Sequence, residues 1–375
     1  MDSNQRQKEP ISRYPLKSGV PPPFLPASLI SPLPLNSQPV ISRVTLAAVG
    51  DVLIHSPVYK DAVTSKGKYD FKPIFDEVAR MTQEPDILVA NQESMIGGTA
   101  IGLSSYPSFN SPHEVGDALK AAGVDLVTLA NNHTLDRGEK AVRSALNYWD
   151  KLQMPYTGAF RSEDDASTIR TLTRNKITFS FLAYTYGTNG IPVPKGKPYL
   201  VNLIDLEKIK RDVDKAKKLS DIIVVSMHWG TEYEAVPNSA QRKLAEQLSD
   251  MGVQIIIGSH PHVLQPPAWV QGKNGTKTYV MYSLGNFLSA QEKIDRLIGG
   301  IGAIEVVKTV IGSKVKITLK NPSFIPTYNY YSNHRNFKII PLSSSKSRDR
   351  FKKALQPWEK IKKRMIASVP ELIFR

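Results

Sequence analysis

The sequence predicts an α/β domain, and three observations carry that expectation. Short apolar, β-like runs alternate with stretches of helical periodicity between Arg43 and the region around residue 290. Five of those runs end in side chains able to bind a metal. The chain has no cysteine, so any metal site must use His, Asp, Glu or Asn, which favours hard or borderline divalent ions such as Mn, Fe(II), Mg or Zn.

The elements read in order. RVTLAAVGD (residues 43–51), DILVANQE (86–93), DLVTLANNH (125–133), DIIVVSMHWG (221–230) and VQIIIGSHPH (253–262) share one design, an apolar strand with a polar end. Between them the periodicity predicts helices over 112–122, 138–149, 205–219 and 239–251. The later runs KTYVMYSLGN, GAIEVVKTV and KVKITLKN read as antiparallel strands, with Asn274-Gly275 as a hairpin turn signal. No internal repeat is present.

With 375 residues, 41% hydrophobic and 22% charged, the chain is long enough for one large domain or two ordinary ones with a substantial core. We expect residues 1–42, rich in Pro and Ser with Pro21, Pro22 and Pro23 in a row, to be an extended linker or stalk. The globular domain is then 43–340, followed by a basic helical tail over 341–375. Ten Lys or Arg and three acids give that tail a net charge of +7 within a whole-chain charge of +15 and a pI of about 9.6. Phe351, Leu355, Trp358, Ile361 and Met365 recur at helical spacing in it, either as a stripe docked on the domain or as a basic amphipathic helix on an anionic membrane. Pro357 is expected to interrupt it or to start a second helix. The basic balance points to a polyanionic neighbour, with generic solubility charge as the plain alternative. No apolar stretch approaches the roughly 18 residues of a membrane helix, and no signal-peptide core is visible.

The chemistry is expected at the strand ends. The first supplies Asp51 and the second Glu93. The third supplies Asn132 and His133, with Asp136 three residues on. The fourth supplies His228, and the fifth His260 and His262 around Pro261. In α/β folds, sites form beyond the carboxyl ends of strands, so five such ends converge on one place. A lone strand-terminal Asp is usually a turn residue and a lone His a structural one. Yet four of the seven histidines fall immediately after apolar runs. Two carboxylates, an Asn and three His suit a pair of divalent ions clamping a phosphoryl transfer, and His133, oriented by Asp136, suits a general acid.

In order, Gly50-Asp51, Asn91-Gln92-Glu93, Asn131-Asn132-His133 with Asp136, His228-Trp229-Gly230 with Glu232-Tyr233, His260-Pro261-His262 and Tyr282 to Phe287 resemble the CapA/PgsA capsule (poly-γ-glutamate) synthesis family. That family is similar to the calcineurin-like metallophosphoesterases. The resemblance spans roughly Val44 to Phe287. It implies a four-layer α-β-β-α sandwich of two mixed sheets and two divalent metal ions. Asp51 and His262 would hold one metal, Asn132, His228 and His260 the other, with Glu93 as the bridge where many phosphoesterases use Asp. His133 with Asp136 would be catalytic. Glu232, Tyr233, Asn286 and Arg137 would bind substrate or shape the rim. Gln92, Arg137 and Ser259 depart from the family pattern, and Leu53 stands where the phosphoesterase Asp-x-His has its histidine, which leaves His55 a doubtful ligand.

The resemblance also implies capsule biosynthesis at the cell envelope, outside the cytoplasm and membrane-associated. The expected partners are poly-γ-glutamate, a phosphoester substrate and membrane-bound synthase subunits. The chain is then a metal-dependent hydrolase, or a non-catalytic polymer-binding or scaffolding subunit. There is no P-loop, dinucleotide fingerprint, Gly-x-Ser-x-Gly elbow or RNA-binding aromatic motif, so nucleic acid is not the expected partner.

Overall fold

Strands apolar on both faces need cover on both sides, and the architecture provides it. The computed structural model describes residues 38–342 and 352–375. In chain order the first strands are β1 (Val40–Val52), β2 (Ile87–Gln92), β3 (Leu126–Thr128), β4 (Tyr156–Thr157), β5 (Arg170–Arg174) and β6 (Ile177–Thr185). Next come β7 (Ile222–His228), β8 (Ile255–Ser259), β9 (Leu264–Gln265), β10 (Ala268–Gln271), β11 (Lys277–Met281) and β12 (Ser283–Leu284). The last are β13 (Asn286–Leu288), β14 (Ile298–Ile311), β15 (Lys314–Ser332), β16 (Arg335–Pro341) and β17 (Ile373–Phe374).

One sheet has the order β16-β15-β14-β1-β2-β3-β4, with β13 beside β1 and β17 beside β15. Its β1, β2, β3 and β4 are parallel, and β14, β15 and β16 antiparallel. The second sheet has the order β10-β11-β8-β7-β6-β5, parallel from β11 to β6 with antiparallel edges. Both sheets are therefore mixed. The Asn274-Gly275 signal falls in the β10–β11 hairpin, with Gly275 at φ 85°. KTYVM, expected as simply antiparallel, lies between two neighbours and pairs parallel with β8 as well.

The period-2 pleat divides each run between two layers. Val44, Leu46 and Ala48 of β1, with Ile87 and Val89 of β2, face Ile222, Val224, Ile255 and Ile257 of the second sheet. Ala47, Val49, Leu88 and Ala90 point the other way, onto helices α1 (Glu114–Ala121) and α2 (Gly138–Lys151) through Val115, Ala118, Val142 and Trp149. Ile223, Val225, Met227 and Ile256 turn outward onto α3 (Leu206–Ala216) and α4 (Ser239–Asp250) through Ile209, Val213, Ala245 and Leu248. Helix, sheet, sheet and helix make the four layers that the resemblance implies.

Helix starts follow their sequence signals. Asp205 accepts from the Lys208 amide, and Asn238 with Gln241 forms a capping box ahead of α4. The C-terminal α5 (Lys352–Ser368) buries Ala354, Trp358, Ile361 and Met365 in the inter-sheet layer, with Trp358 stacked on Phe324 of β15 at 6.0 Å. This is the docked alternative: the apolar stripe is covered by the protein itself and is not presented to a lipid surface. Leu355 is only half-buried, and Phe351 lies outside the described residues, as do residues 1–37 of the expected stalk. Pro357 does not end the helix but sits inside it. Packing of the stripe holds the helix through the one backbone hydrogen bond that proline removes. Among the described residues, no helix is long and apolar enough to cross a membrane.

Candidate metal centre

All five nominated strand ends, from both sheets, meet at one place. β1 reaches it through a defect. At Gly50 the pairing with β2 slips, so that Val49 opposes Ala90 while Asp51 opposes Asn91. The extra residue moves Asp51 off the helix-facing parity of Val49 and onto the face that looks at the second sheet, which is how a bulge re-aims a side chain. Position 50 must be glycine because a Cβ there would lie 2.1 Å from the Gly285 carbonyl oxygen. The Asp51 amide donates to that oxygen at 2.8 Å.

Once re-aimed, Asp51 has a partner on each oxygen, and the carboxylate keeps lone pairs to spare. Its Oδ1 accepts from Asn91 Nδ2 at 2.9 Å, and its Oδ2 accepts from the His260 amide at 3.2 Å. Oδ2 also lies 3.2 Å from His262 Nδ1, which is 3.0 Å from Asn286 Oδ1. With Nδ1 donating to those oxygens, Nε2 of His262 is left facing Glu93 Oε1 at 3.6 Å. A ring held by oxygens at one nitrogen and left open at the other is oriented for a metal. Asn286, expected to bind substrate, is buried, and its amide is spent on His262 O, Gln291 and Arg296 O. It positions His262 and presents no atom to a substrate.

His228 Nε2 is 2.9 Å from Asn132 Oδ1 and 3.6 Å from Glu93 Oε1. Its Nδ1 is 2.9 Å from Ser259 Oγ. A hydroxyl both donates and accepts, so Ser259 can serve either tautomer of His228. His260 and His262 follow β8 in a turn with φ of 97° and 57°, rather than on the strand itself as their spacing suggests. That left-handed backbone, costly for non-glycine residues, brings both rings to the same side.

A cation fits here. Glu93 is fully buried, and neither of its carboxylate oxygens has a hydrogen-bond partner; His260 Nδ1 is also buried without one. Buried polar atoms are normally paired. Glu93, His260 and His262 each offer a ligand atom within 4.8 Å of the others. Burial drives Glu93 well above the usual carboxylate range, against the opposing charge of His262. Burial holds His260 down at about 4 and His228 well below its ordinary value, with neighbouring imidazoles adding to both. For His262, burial works downward, but the Glu93 and Asp51 carboxylates overcome it and lift the ring to about 9. Acceptors without donors, together with His228 and His260 held neutral, suit a divalent metal.

His133 sits beside the cluster. Its Nδ1 is 2.7 Å from Asp136 Oδ2, which also accepts from the Phe109 amide at 2.7 Å, and the Phe109 ring packs edge-on at 4.7 Å. Asp136 and Phe109 thus fix the imidazole. Asn131, outside the nominated set, accepts from the His133 amide and donates to Gln92 O, tying the third strand end to the second. His55 stands apart, its Nδ1 at Leu53 O and its ring edge-on to Phe109 at 5.2 Å.

The rim contains what was expected and more. Glu232 is exposed, and Tyr233, at φ 68°, hydrogen-bonds Glu232 and lies 6.2 Å from the His262 ring. Arg137, nominated to bind substrate or shape the rim, spends its guanidinium on Ile101 O, Gly102 O and Ser104 Oγ, pinning that loop. Three rim residues were missed. Tyr186 stacks on His228 at 6.2 Å and lies tilted against His260 at 4.8 Å, and Asn189 reaches Asn132 and His133. Both follow β6, an apolar run whose polar end is a sixth instance of the same sequence signal. The third is Arg296, whose guanidinium carbon lies 3.3 Å from the centre of the Tyr233 ring. A separate cleft of about 460 Å³, bordered by Tyr199, Leu203, Lys208 and Arg211, shares no residue with the cluster.

Residues 45–291 match the model of the bacterial capsule synthesis protein family PGA_cap. The chain belongs to this family. It is 37% identical over 175 residues to the PGA biosynthesis protein CapA of Bacillus subtilis (strain 168), covering 46% of this chain and 44% of that protein. It is 30% identical over 261 residues to the capsule biosynthesis protein CapA of Bacillus anthracis, covering 66% of this chain and 60% of that protein. The chain thus spans about half of the length of these curated relatives. Among solved structures, a putative 5'-nucleotidase from Staphylococcus aureus in complex with alpha-ketoglutarate aligns with a TM-score of 0.45 at 16% identity, covering 84% of this chain and 59% of that one. Every cluster residue from Asp51 to Asn286 falls inside the PGA_cap match, whereas Arg296 lies beyond it.

Proposed function

We propose that this chain acts in capsule polymer biosynthesis at the bacterial cell envelope, and that its inter-sheet cluster holds two divalent ions and hydrolyses a phosphoester or a related bond. The observation that carries the reading is the buried Glu93 carboxylate, without a hydrogen-bond partner, facing His228 and His262 from the other sheet. Asp51 and His262 would hold one ion, Asn132, His228 and His260 the other, and Glu93 would bridge them. When bound, such ions supply Lewis-acid polarisation of a phosphoryl group. The protein does the rest. Asp136 accepts from His133 Nδ1–H and orients the ring, whose doubly protonated form would hand the Nε2 proton to the leaving oxygen. Phe109 and Tyr186 keep solvent from the imidazoles they pack on.

A second reading rests on the +15 charge, which suits an acidic polymer such as poly-γ-glutamate. In it the fold is a binding or scaffolding subunit beside membrane-bound synthase components, with the metal as a structural pin.

Elemental mass spectrometry of the purified protein, paired with turnover of an aryl phosphodiester in Mn, separates the two. Bound metal with turnover that vanishes in His133→Ala supports the hydrolase. Bound metal without turnover supports the scaffold. Protein that takes up no metal sinks the metal assignment altogether.

A further inference from the structure

Arg296 occupies a short turn of helix just before β14, two contacts from the cluster. Asn286, which orients His262 through Oδ1 at 3.0 Å, donates through Nδ2 to the Arg296 carbonyl at 2.9 Å. The Arg296 amide donates to Lys293 O. The main chain of Arg296 therefore has a structural task, and its side chain does not share it. The guanidinium carbon lies over the Tyr233 ring at 3.3 Å from its centre, and Tyr233 is itself 6.2 Å from His262. Its Nε is buried without a hydrogen-bond partner. Among the described residues it makes no ion pair, although the carboxylate of Glu232 bonds the very tyrosine it stacks on. A guanidinium fixed by a ring and left without an acceptor is prepared for one from outside.

The surroundings say what kind. Asp51, Glu93, Asp136 and Glu232 make the interior and rim acidic, and Arg137, the other cation of the region, is committed to loop carbonyls. An anion entering this mouth gains from a cation on the rim, and among the described residues Arg296 has a guanidinium there that makes no ion pair. Tyr106, Tyr186 and Tyr233 are 78%, 49% and 37% exposed, so the approach is open and flanked by rings. The planar fork of arginine matches the two oxygens of a carboxylate or phosphoryl group, and stacking on an aromatic face pre-orients it.

We propose that Arg296, held on Tyr233, is an oxyanion-binding residue at the mouth of the cluster, taking a carboxylate or phosphoryl oxygen of the molecule that enters. The inference deepens the proposed function and rests on it for the reacting group alone. The anion site stands on contacts that need no metal.

The test is calorimetric titration of the full chain, Mn-loaded and EDTA-treated, with inorganic phosphate and with a γ-linked triglutamate. Arg296→Gln weakens one or both probes by about tenfold or more, the loss of a charge-assisted pair, while metal content and Tm hold. Tyr233→Leu moves in the same direction and Tyr233→Phe keeps the wild-type affinity, so the proposal remains testable even if Arg296→Gln lowers Tm. Loss confined to phosphate identifies a phosphoester as the source, and loss confined to triglutamate identifies a chain carboxylate. A wild-type protein that binds neither probe, or an Arg296→Gln protein that binds both as wild type does, overturns the proposal. Failure of the hydrolase reading looks different: no metal and no turnover, with Arg296-dependent binding intact in the EDTA-treated protein.

Discussion

Asp51 and His262 meet across the two sheets, carboxylate Oδ2 to ring Nδ1, at 3.2 Å. The contact requires the bulge at Gly50 on one side and the left-handed turn at His262 on the other. It leaves His262 Nε2 aimed at Glu93. That arrangement makes the cluster sensitive both to metal supply and to single atoms in its backbone.

Divalent metal should stabilise the protein. The buried Glu93 oxygens and His260 Nδ1 lack donors, so a cation binds the folded state and not the unfolded chain. A ligand at one hundred times its Kd adds about 2.7 kcal/mol. Thermal melts should show Tm rising with Mn and falling with EDTA, and Glu93→Gln should remove that dependence. An unchanged Tm in both media would contradict metal binding.

His133→Ala should lower phosphodiester turnover by about 10²- to 10⁴-fold, the range for a positioned acid. Metal content should stay at the wild-type level. Asp136→Asn keeps the hydrogen-bonding shape but removes the charge facing His133 Nδ1, so it should act in the same direction with a smaller loss. Steady-state kinetics beside elemental analysis checks both. Loss of metal in His133→Ala would make it a ligand instead of an acid.

Gly50→Ala should destabilise by about 1–3 kcal/mol or more, because the added Cβ meets the Gly285 carbonyl oxygen at 2.1 Å. The backbone must shift, and Asp51 shifts with it. Urea denaturation should show the loss of stability, and metal uptake should fall together with it. A variant of wild-type stability would show that the β1–β13 approach is looser than described.

Trp358→Ala should cost about 3–5 kcal/mol, as for a large core side chain, since Trp358 is buried against Phe324 and Phe374. Urea melts check this directly. If the wild-type protein bound anionic vesicles through this helix and the variant kept its full stability, the docked arrangement would be refuted.

His55 provides a pH test at a residue outside the proposed ligand set. Burial lowers its pKa from 6.5 to about 4. In that window the unfolded chain takes up the proton and the folded protein refuses it, so the stability present above pH 6.5 is lost as pH falls toward 4. His55→Asn lacks this term. Its stability relative to wild type should therefore rise on acidification, by on the order of 3 kcal/mol in full, for a shift of 6.5 to about 4. Urea melts of the metal-free proteins at pH 7.5, 6 and 5 measure the difference; a constant difference would mean that His55 titrates normally.

The candidate site was legible because its residues sit where the apolar pattern stops. A strand buried on both faces is a continuous apolar run, so the first polar residues after it mark its carboxyl end, and Asp51, Glu93, Asn132, His228 and His260 all stand there. The same rule, applied to β6, would have found Tyr186 and Asn189. No local rule reaches Arg296, whose importance lies in the ring of Tyr233, 63 positions earlier in the chain. Nor could pattern alone separate a stripe docked on β15 from one lying on a membrane, since both bury the same face of α5.

The sequence by itself determined an α/β alternation of apolar runs and helical stretches, and the resemblance carried by its motifs implied the four layers. It also determined which residues lie at the strand ends. Tertiary structure alone decided which atoms of those residues face one another. Gly50 turns Asp51 inward only because the Gly285 carbonyl crowds it, and Asn286 serves His262 instead of a substrate only because β13 pairs with β1. Such contacts join residues 24 to 236 positions apart, and orientation at that range is set by packing, on which the local sequence carries no information.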